Sequence, residues 1–200
     1  MLEKKEGRVK DLVEKLNKDE ISSKEVLQEL KKRKLVEDEK WECIPWAIYF
    51  ILWIPLNLKF SAQLPVISFP PIVIYISVIV VVLGVILGVW ATYFHYKIGG
   101  LKHDETIYLF KEGPYRVMRH PGGVGTMLLI LLPIILSAHV PFSPLSVAAI
   151  IVMIVYVYYS IRIEEEGLDI PKWGDEYRQY MKEVPRFNFI KGLWNLRKKS

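Results

Sequence analysis

A single cysteine, Cys43, occurs in this chain of 200 residues. One thiol excludes an intrachain disulfide framework and any metal site built from several cysteines. Charge is absent from two long stretches, since Phe60–Tyr96 and Pro121–Ile161 contain no Asp, Glu, Lys or Arg. A chain this short cannot wrap such runs in a polar shell, which excludes an ordinary soluble domain. The first forty residues lack an apolar h-region, so no cleavable signal peptide is expected. What is present is sharply segregated. Hydrophobic residues make up 52% and charged residues 24%, and a mean hydropathy of +0.21 is compatible with both only if the two classes are separated along the chain.

A bilayer core takes roughly 20 apolar residues in a helix. Four stretches approach that length: Trp41–Leu58, interrupted by Pro45 and Pro55, then Pro71–His95, Pro121–Ala138 and Pro144–Arg162. The last two are separated by the breaker cluster His139-Val140-Pro141-Phe142-Ser143-Pro144. The expected fold is therefore all-α and polytopic, with about four membrane helices and a small N-terminal helical hairpin. Of the 27 Lys and Arg residues, twelve precede Trp41, five lie in Lys97–Arg119 and nine follow from Arg162. Under the positive-inside rule both termini and the 96–120 loop are cytoplasmic, in a multi-pass protein of the cytoplasmic membrane or endoplasmic reticulum. The chain divides into a polar segment 1–40, two membrane helices in 41–96, and a core over 97–200 that holds the hairpin 121–162.

In the first segment Val9, Leu12, Val13 and Leu16 keep helical spacing, as do Val26, Leu27 and Leu30. Ser22 with Glu25 offers a capping box between them. A hairpin on the membrane surface is the reading favoured here. Its twelve basic and eleven acidic residues nearly cancel, so the electrostatic footprint of a nucleic-acid module is missing and no nucleic-acid partner is expected.

Polar chemistry concentrates in two places. In Lys111–Gly125, Gly113-Pro114 breaks structure, and Pro121 suits the first position of a helix, setting His120 at its mouth. Free N–H groups and the positive dipole end make that a seat for a carboxylate or phosphate. Gly122-Gly123-Val124-Gly125 superficially suggests a dinucleotide loop, but no strand precedes it, and the glycines fit close helix packing better. At the end of the fourth stretch stands Arg162-Ile163-Glu164-Glu165-Glu166. Three adjacent carboxylates fan around a helical turn, so one must face inward, toward Arg162, Arg119 or a bound cation. Alternatively Arg162 and Glu166 pair on the surface at i, i+4. Farther on, Tyr177, Tyr180 and Met181 form one face of a short helix expected to lie against the membrane. Phe187, Phe189, Ile190, Leu193 and Trp194 read as interfacial anchors. His95 and His103 lack further ligands at metal spacing, so no metal is expected.

These residues carry a resemblance. Leu109-Phe110, Gly113, Tyr115, Arg119-His120-Pro121 and Gly125, then a helical hairpin, then Arg162, Glu164-Glu165-Glu166, Gly174, Glu176-Tyr177, Tyr180 and Val184-Pro185-Arg186 form two motifs in order. The arrangement resembles the isoprenylcysteine carboxyl methyltransferases and the related phospholipid N-methyltransferases, over roughly residues 97–190. The resemblance implies an S-adenosylmethionine-dependent methyltransferase whose two motifs enclose the cofactor, while a lipid or lipidated substrate enters from the bilayer. It implies that Tyr115, His120, Pro121 and Gly123 line the cofactor pocket, with Leu109 and Phe110 near the adenosine. Glu165 or Glu166 would bind the cofactor, and Arg162 would face the substrate, with Glu165 available to an amine acceptor that must lose a proton. Two departures stand out. Gly123 takes a place where members usually carry an aromatic residue. Counting forward from Arg162 and back from Trp173-Gly174 also disagrees by one residue. Two other readings compete: an NADPH-dependent sterol-type reductase, and a non-catalytic membrane protein recruiting a partner through residues 1–40.

Overall fold

The computed structural model describes residues 9–36, 43–99, 101 and 105–198. The expected start of the first membrane helix at Trp41, and His103, lie outside the described residues. All regular structure among the described residues is helical. The helices are α1 (Lys10–Asn17), α2 (Ser23–Lys32), α3 (Cys43–Phe60), α4 (Pro71–Ile98), α5 (Pro121–Ile135), α6 (Pro144–Trp173), α7 (Asp175–Glu183) and α8 (Phe189–Arg197). Three of them, α3, α4 and α6, are long and apolar enough to cross a membrane. Helix α5 is shorter than the sequence suggests. Its 15 residues are tightened into a 3₁₀ turn at Leu129–Leu131, just before Pro133. That length reaches only about 22 Å, against roughly 30 Å of hydrocarbon.

The described residues form two compact units. One is drawn from 43–88 and 123–160. Its polar centre is Asn57, fully buried in a largely apolar helix. Pro55 supplies no N–H to the backbone ladder, and α3 widens into a π-helical turn over Leu52–Leu56. The Asn57 amide donates to the carbonyls of Leu52 (3.1 Å) and Trp53 (2.7 Å) and to Ser146 Oγ at 3.0 Å. Its own carbonyl accepts from the Ser143 hydroxyl. The proline thus widens the helix without ending it, and one amide ties it to the start of α6. Helices α4 and α5 meet at glycines. A Cβ on Gly125 would stand 2.7 Å from the Gly84 carbonyl oxygen and 3.0 Å from the Gly88 nitrogen. That approach is the close packing small residues permit between membrane helices.

The other unit is drawn from 9–36, 89–122 and 161–198. Ser22 and Glu25 form the expected capping box, with Ser22 N–H donating to Glu25 Oε2 at 2.7 Å. Arg33 grips Asp11 with both terminal nitrogens, at 2.9 and 2.7 Å, joining α1 to α2. The apolar face of this hairpin is covered by protein. Val9, Leu12, Val26, Leu30 and Leu35 share one core with Leu101, Ile107, Trp173, Tyr177 and Tyr180. The expected membrane-facing stripe of α7 is likewise interior, because Tyr177 and Tyr180 close that core. Amphipathicity marked both faces correctly but did not say what covers them.

Candidate functional site

The end of α6 departs from α-helical geometry. Pro171 has no N–H for the carbonyl four residues earlier, and Glu165–Asp169 form a π-helical turn. Gly174 then takes φ +60° and ψ −131°, a conformation reserved in practice for glycine, and the chain turns sharply into α7. The widened turn buries Glu165 completely and Asp169 nearly so.

Glu165 is the hub. Its Oε1 accepts from Arg119 Nε at 2.9 Å and lies 3.0 Å from His120 Nε2. Its Oε2 accepts from Arg186. An ionised carboxylate offers only acceptors, so Nε2 of His120 carries the proton in this contact. Nδ1 of the same ring points toward Glu164 Oε2, 3.7 Å away. Arg119 is further fixed by donating through Nη1 to the carbonyls of Met181 (2.9 Å) and Val184 (2.7 Å). The backbone continues the seam, with Arg119 N–H donating to Pro185 O at 3.0 Å and His120 N–H to Arg186 O at 3.4 Å. The segment before α5 and the segment after α7 are thereby stitched side by side.

Aromatic rings surround the hub. Tyr177 Oη lies 3.4 Å from His120 Nε2, and its ring stacks on Trp173 with centroids 5.7 Å apart. Tyr180 donates its hydroxyl to the Tyr115 carbonyl at 2.5 Å. Tyr115 Oη meets His95 Nε2 at 2.6 Å, and the Phe110 ring stands edge-on to Tyr115 at 5.1 Å. Burial pushes the phenols of Tyr115, Tyr177 and Tyr180 above the ordinary tyrosine range. The Asp169 carboxylate adds to the upward shift at Tyr177. All three phenols therefore stay protonated at physiological pH.

Below Trp173, Lys172 and Glu105 form a largely buried ion pair of 2.7 Å, and the indole N–H donates to Ile107 O at 3.0 Å. Between these groups and α1 lies a groove of about 290 Å³ lined by Val13, Leu109, Lys172, Trp173 and Glu176 among others.

The structure thus gathers Tyr115, His120 and Glu165 of the sequence-derived candidates, with Phe110 in the same aromatic group. Pro121 is buried as the first residue of α5. Leu109 packs against the hairpin core and lines the groove. Arg162 and Glu166 lie outside the hub, both more than half exposed, and pair with each other at 2.9 Å. Gly123 falls in the other unit. Arg186, Asp169 and Tyr177 join the site without having been singled out as site residues. For Arg186 the sequence signal is its place in the Val184-Pro185-Arg186 string of the second motif. Among the described residues no cluster of three or more His, Cys, Asp or Glu is placed to hold a metal ion.

Comparison with protein families, curated proteins and solved structures finds no match for this chain.

Proposed function

We propose that the protein is a multi-pass membrane methyltransferase that uses S-adenosylmethionine to methylate a lipid or lipidated carboxylate or amine. The observation that carries this reading is the buried hub at Glu165. The two motifs, 119–121 and 164–166, together with Arg186, assemble mixed charge in one protected place.

The donor set fits a zwitterionic, ring-bearing cofactor. Arg119, Arg186 and His120 suit its carboxylate, Asp169 and Glu164 its ammonium, and the Phe110 and Tyr115 rings its adenine. When bound, the cofactor supplies an electrophilic methyl group on a sulfonium. The hub's carboxylate is engaged by three cationic or imidazole donors, so in this reading Glu165 orients Arg119 and His120. Asp169 is then the better carboxylate for a cation. The phenols of Tyr115 and Tyr177, held protonated, serve as neutral hydrogen-bond groups that neither repel the sulfonium nor attack it. Methyl transfer is an in-line displacement, and what these residues contribute is alignment and exclusion of water. A carboxylate acceptor needs no base. An amine acceptor would pass its proton to Glu164, which is partly exposed beside His120.

The π-helical turn also supports the resemblance at its weakest point. A turn closed from i to i+5 holds one residue more than an α-turn. Glu165–Asp169 therefore absorbs the one-residue disagreement between the count from Arg162 and the count from Trp173-Gly174.

Shared packing also supports a topology. Residues of α1 and α2, of the 101–107 loop and of Trp173–Tyr180 share one core, which supports placing all three segments on one side of the bilayer. In this reading α3 and α4 make one return trip, and α6 completes a second whose outward leg α5 makes together with residues 136–143. The contact of Asn57 with Ser143 and Ser146 supports setting the 139–144 turn at the far surface, where α3 ends. Positive-inside bias makes the core side cytoplasmic. Incubating membranes that contain the protein with methyl-labelled cofactor tests the reading. Label should enter a lipid or lipidated fraction, and a sample that binds NADPH but transfers no label would instead indicate the reductase.

A further inference from the structure

Helix α8 is fastened to the site unit along the edge that carries Gly192 and Asn195. Asn188 caps it by accepting from Lys191 N–H at 2.9 Å, and Asn195 donates to the Glu183 carbonyl at 2.9 Å. Gly192 makes the closest contact. A Cβ there would fall 1.9 Å from the Val117 carbonyl oxygen, so only glycine seats the helix. At 3.6 residues per turn, Gly192, Asn195 and Leu196 occupy the docked edge. Phe189, Leu193, Ile190 and Trp194 span an arc of about 140° turned away from it.

That arc is open. Phe189, Ile190, Leu193 and Trp194 are all exposed, Ile190 at 80%. A short helix with so wide an apolar face needs cover. Its charges indicate which. Lys191, Arg197 and Lys198 are the only charged residues described in the helix and its cap, and none is acidic. Lys191 and Lys198 lie side by side along one border of the apolar arc, next to Trp194, where their ammonium groups can reach headgroups. The Lys198 ammonium stands 5.7 Å over the Trp194 ring. Arg197 falls within the arc on the same wheel, and the stem of an arginine is long enough to lie in acyl chains with its head at the headgroups. A basic border beside an aromatic and aliphatic face complements an anionic membrane surface. The same chain carries three helices able to cross a bilayer.

We propose that α8 is an anionic-lipid-binding element that lies in the headgroup layer, with Phe189, Ile190, Leu193 and Trp194 in the acyl region. The claim stands apart from methyl transfer, since it requires only that the chain be in a membrane. It has a consequence for the site all the same. The segment just before α8 carries Pro185 and Arg186, which bond to Arg119, His120 and Glu165. Lipid that holds α8 also holds that strap.

The test uses the full chain in nanodiscs of phosphatidylcholine, alone or mixed with phosphatidylglycerol. A spin label is attached through Ile190→Cys on a Cys43→Ser background, and separately through Trp194→Cys. Lys182→Cys on exposed α7 gives the aqueous reference. Collision with oxygen reports acyl chains, and collision with a nickel chelate reports water. At both α8 positions the oxygen-to-nickel ratio should be several-fold above that at Lys182, and it should rise about twofold more with phosphatidylglycerol. The combination Lys191→Gln, Arg197→Gln and Lys198→Gln should abolish that rise. Nickel-dominated labels at both positions overturn the proposal. So do labels shielded from both agents, which would mark a second protein copy as the cover. A ratio indifferent to lipid charge overturns the anionic selectivity.

Discussion

His120 and Glu165 are 45 residues apart in sequence and 3.0 Å apart in space, Nε2 to Oε1, with the carboxylate fully buried. Glu165 cannot leave without stranding the buried Arg119 guanidinium. Removing one member of a buried ionic group commonly costs about 3–5 kcal/mol. Glu165→Ala should therefore lower the melting temperature of the detergent-solubilised protein markedly. Arg162→Ala, which breaks only the exposed pair with Glu166, should shift stability by no more than about 0.5 kcal/mol. Equal effects of the two substitutions would mean that Glu165 is not the hub.

The N-terminal hairpin belongs to the same core as the rings beside His120. Leu30→Ala removes a fully buried side chain from that core and should cost about 2–5 kcal/mol. The Trp173 and Tyr177 side of the shared core should loosen with it, so cofactor binding should weaken. A recruitment arm would behave differently, since its truncation would leave binding unchanged. Thermal melts and cofactor titrations on one preparation separate the two.

Gly174 adopts a backbone conformation that a Cβ does not tolerate. Gly174→Ala should destabilise the protein by about 1–3 kcal/mol and misdirect α7, which carries Tyr177 and Tyr180. Gly167→Ala is the control, because a Cβ there meets nothing within 4 Å. It should be neutral or slightly stabilising, as measured by melting temperature.

Tyr115, Tyr177 and Tyr180 have phenol pKa values raised above the unfolded value of about 10. Folding thus favours their neutral forms. The associated stability is fully present below pH 10 and is lost as the pH rises beyond it. Absorbance titration of tyrosinate should show these three phenols ionising only when the protein unfolds. Substituting all three by Phe should cut that late component by three phenols, leaving the fully buried Tyr49 and the exposed tyrosines unchanged.

Much of the architecture was legible in the sequence because its signals are local. The charge-free stretch over α4 and the Ser22–Glu25 box each depend on residues within a few positions of one another. What escaped was non-local. Pro55 read as an interruption because the Asn57 amide that compensates for it is recognisable only once Leu52, Trp53 and Ser146 surround it. The apolar face of Tyr177 and Tyr180 announced burial, but its cover turned out to be α1 and α2 where lipid had been expected. In the acidic triplet, spacing required one carboxylate to face inward. The π-helical turn, which answers to Pro171 several residues later, made it Glu165 and left Glu166 with Arg162 outside. Arg186 reached the hub through backbone pairing of 185–186 with 119–120, a relationship no periodicity encodes.

The most direct measurement is equilibrium titration of S-adenosylmethionine into the solubilised full chain, with His120→Ala and Asp169→Asn in parallel. Saturable binding by the unaltered protein, weakened at least tenfold in each variant while both remain folded by circular dichroism, is the predicted result. A folded, unaltered protein that does not bind this cofactor, or variants that bind it as tightly as the parent, would contradict the account.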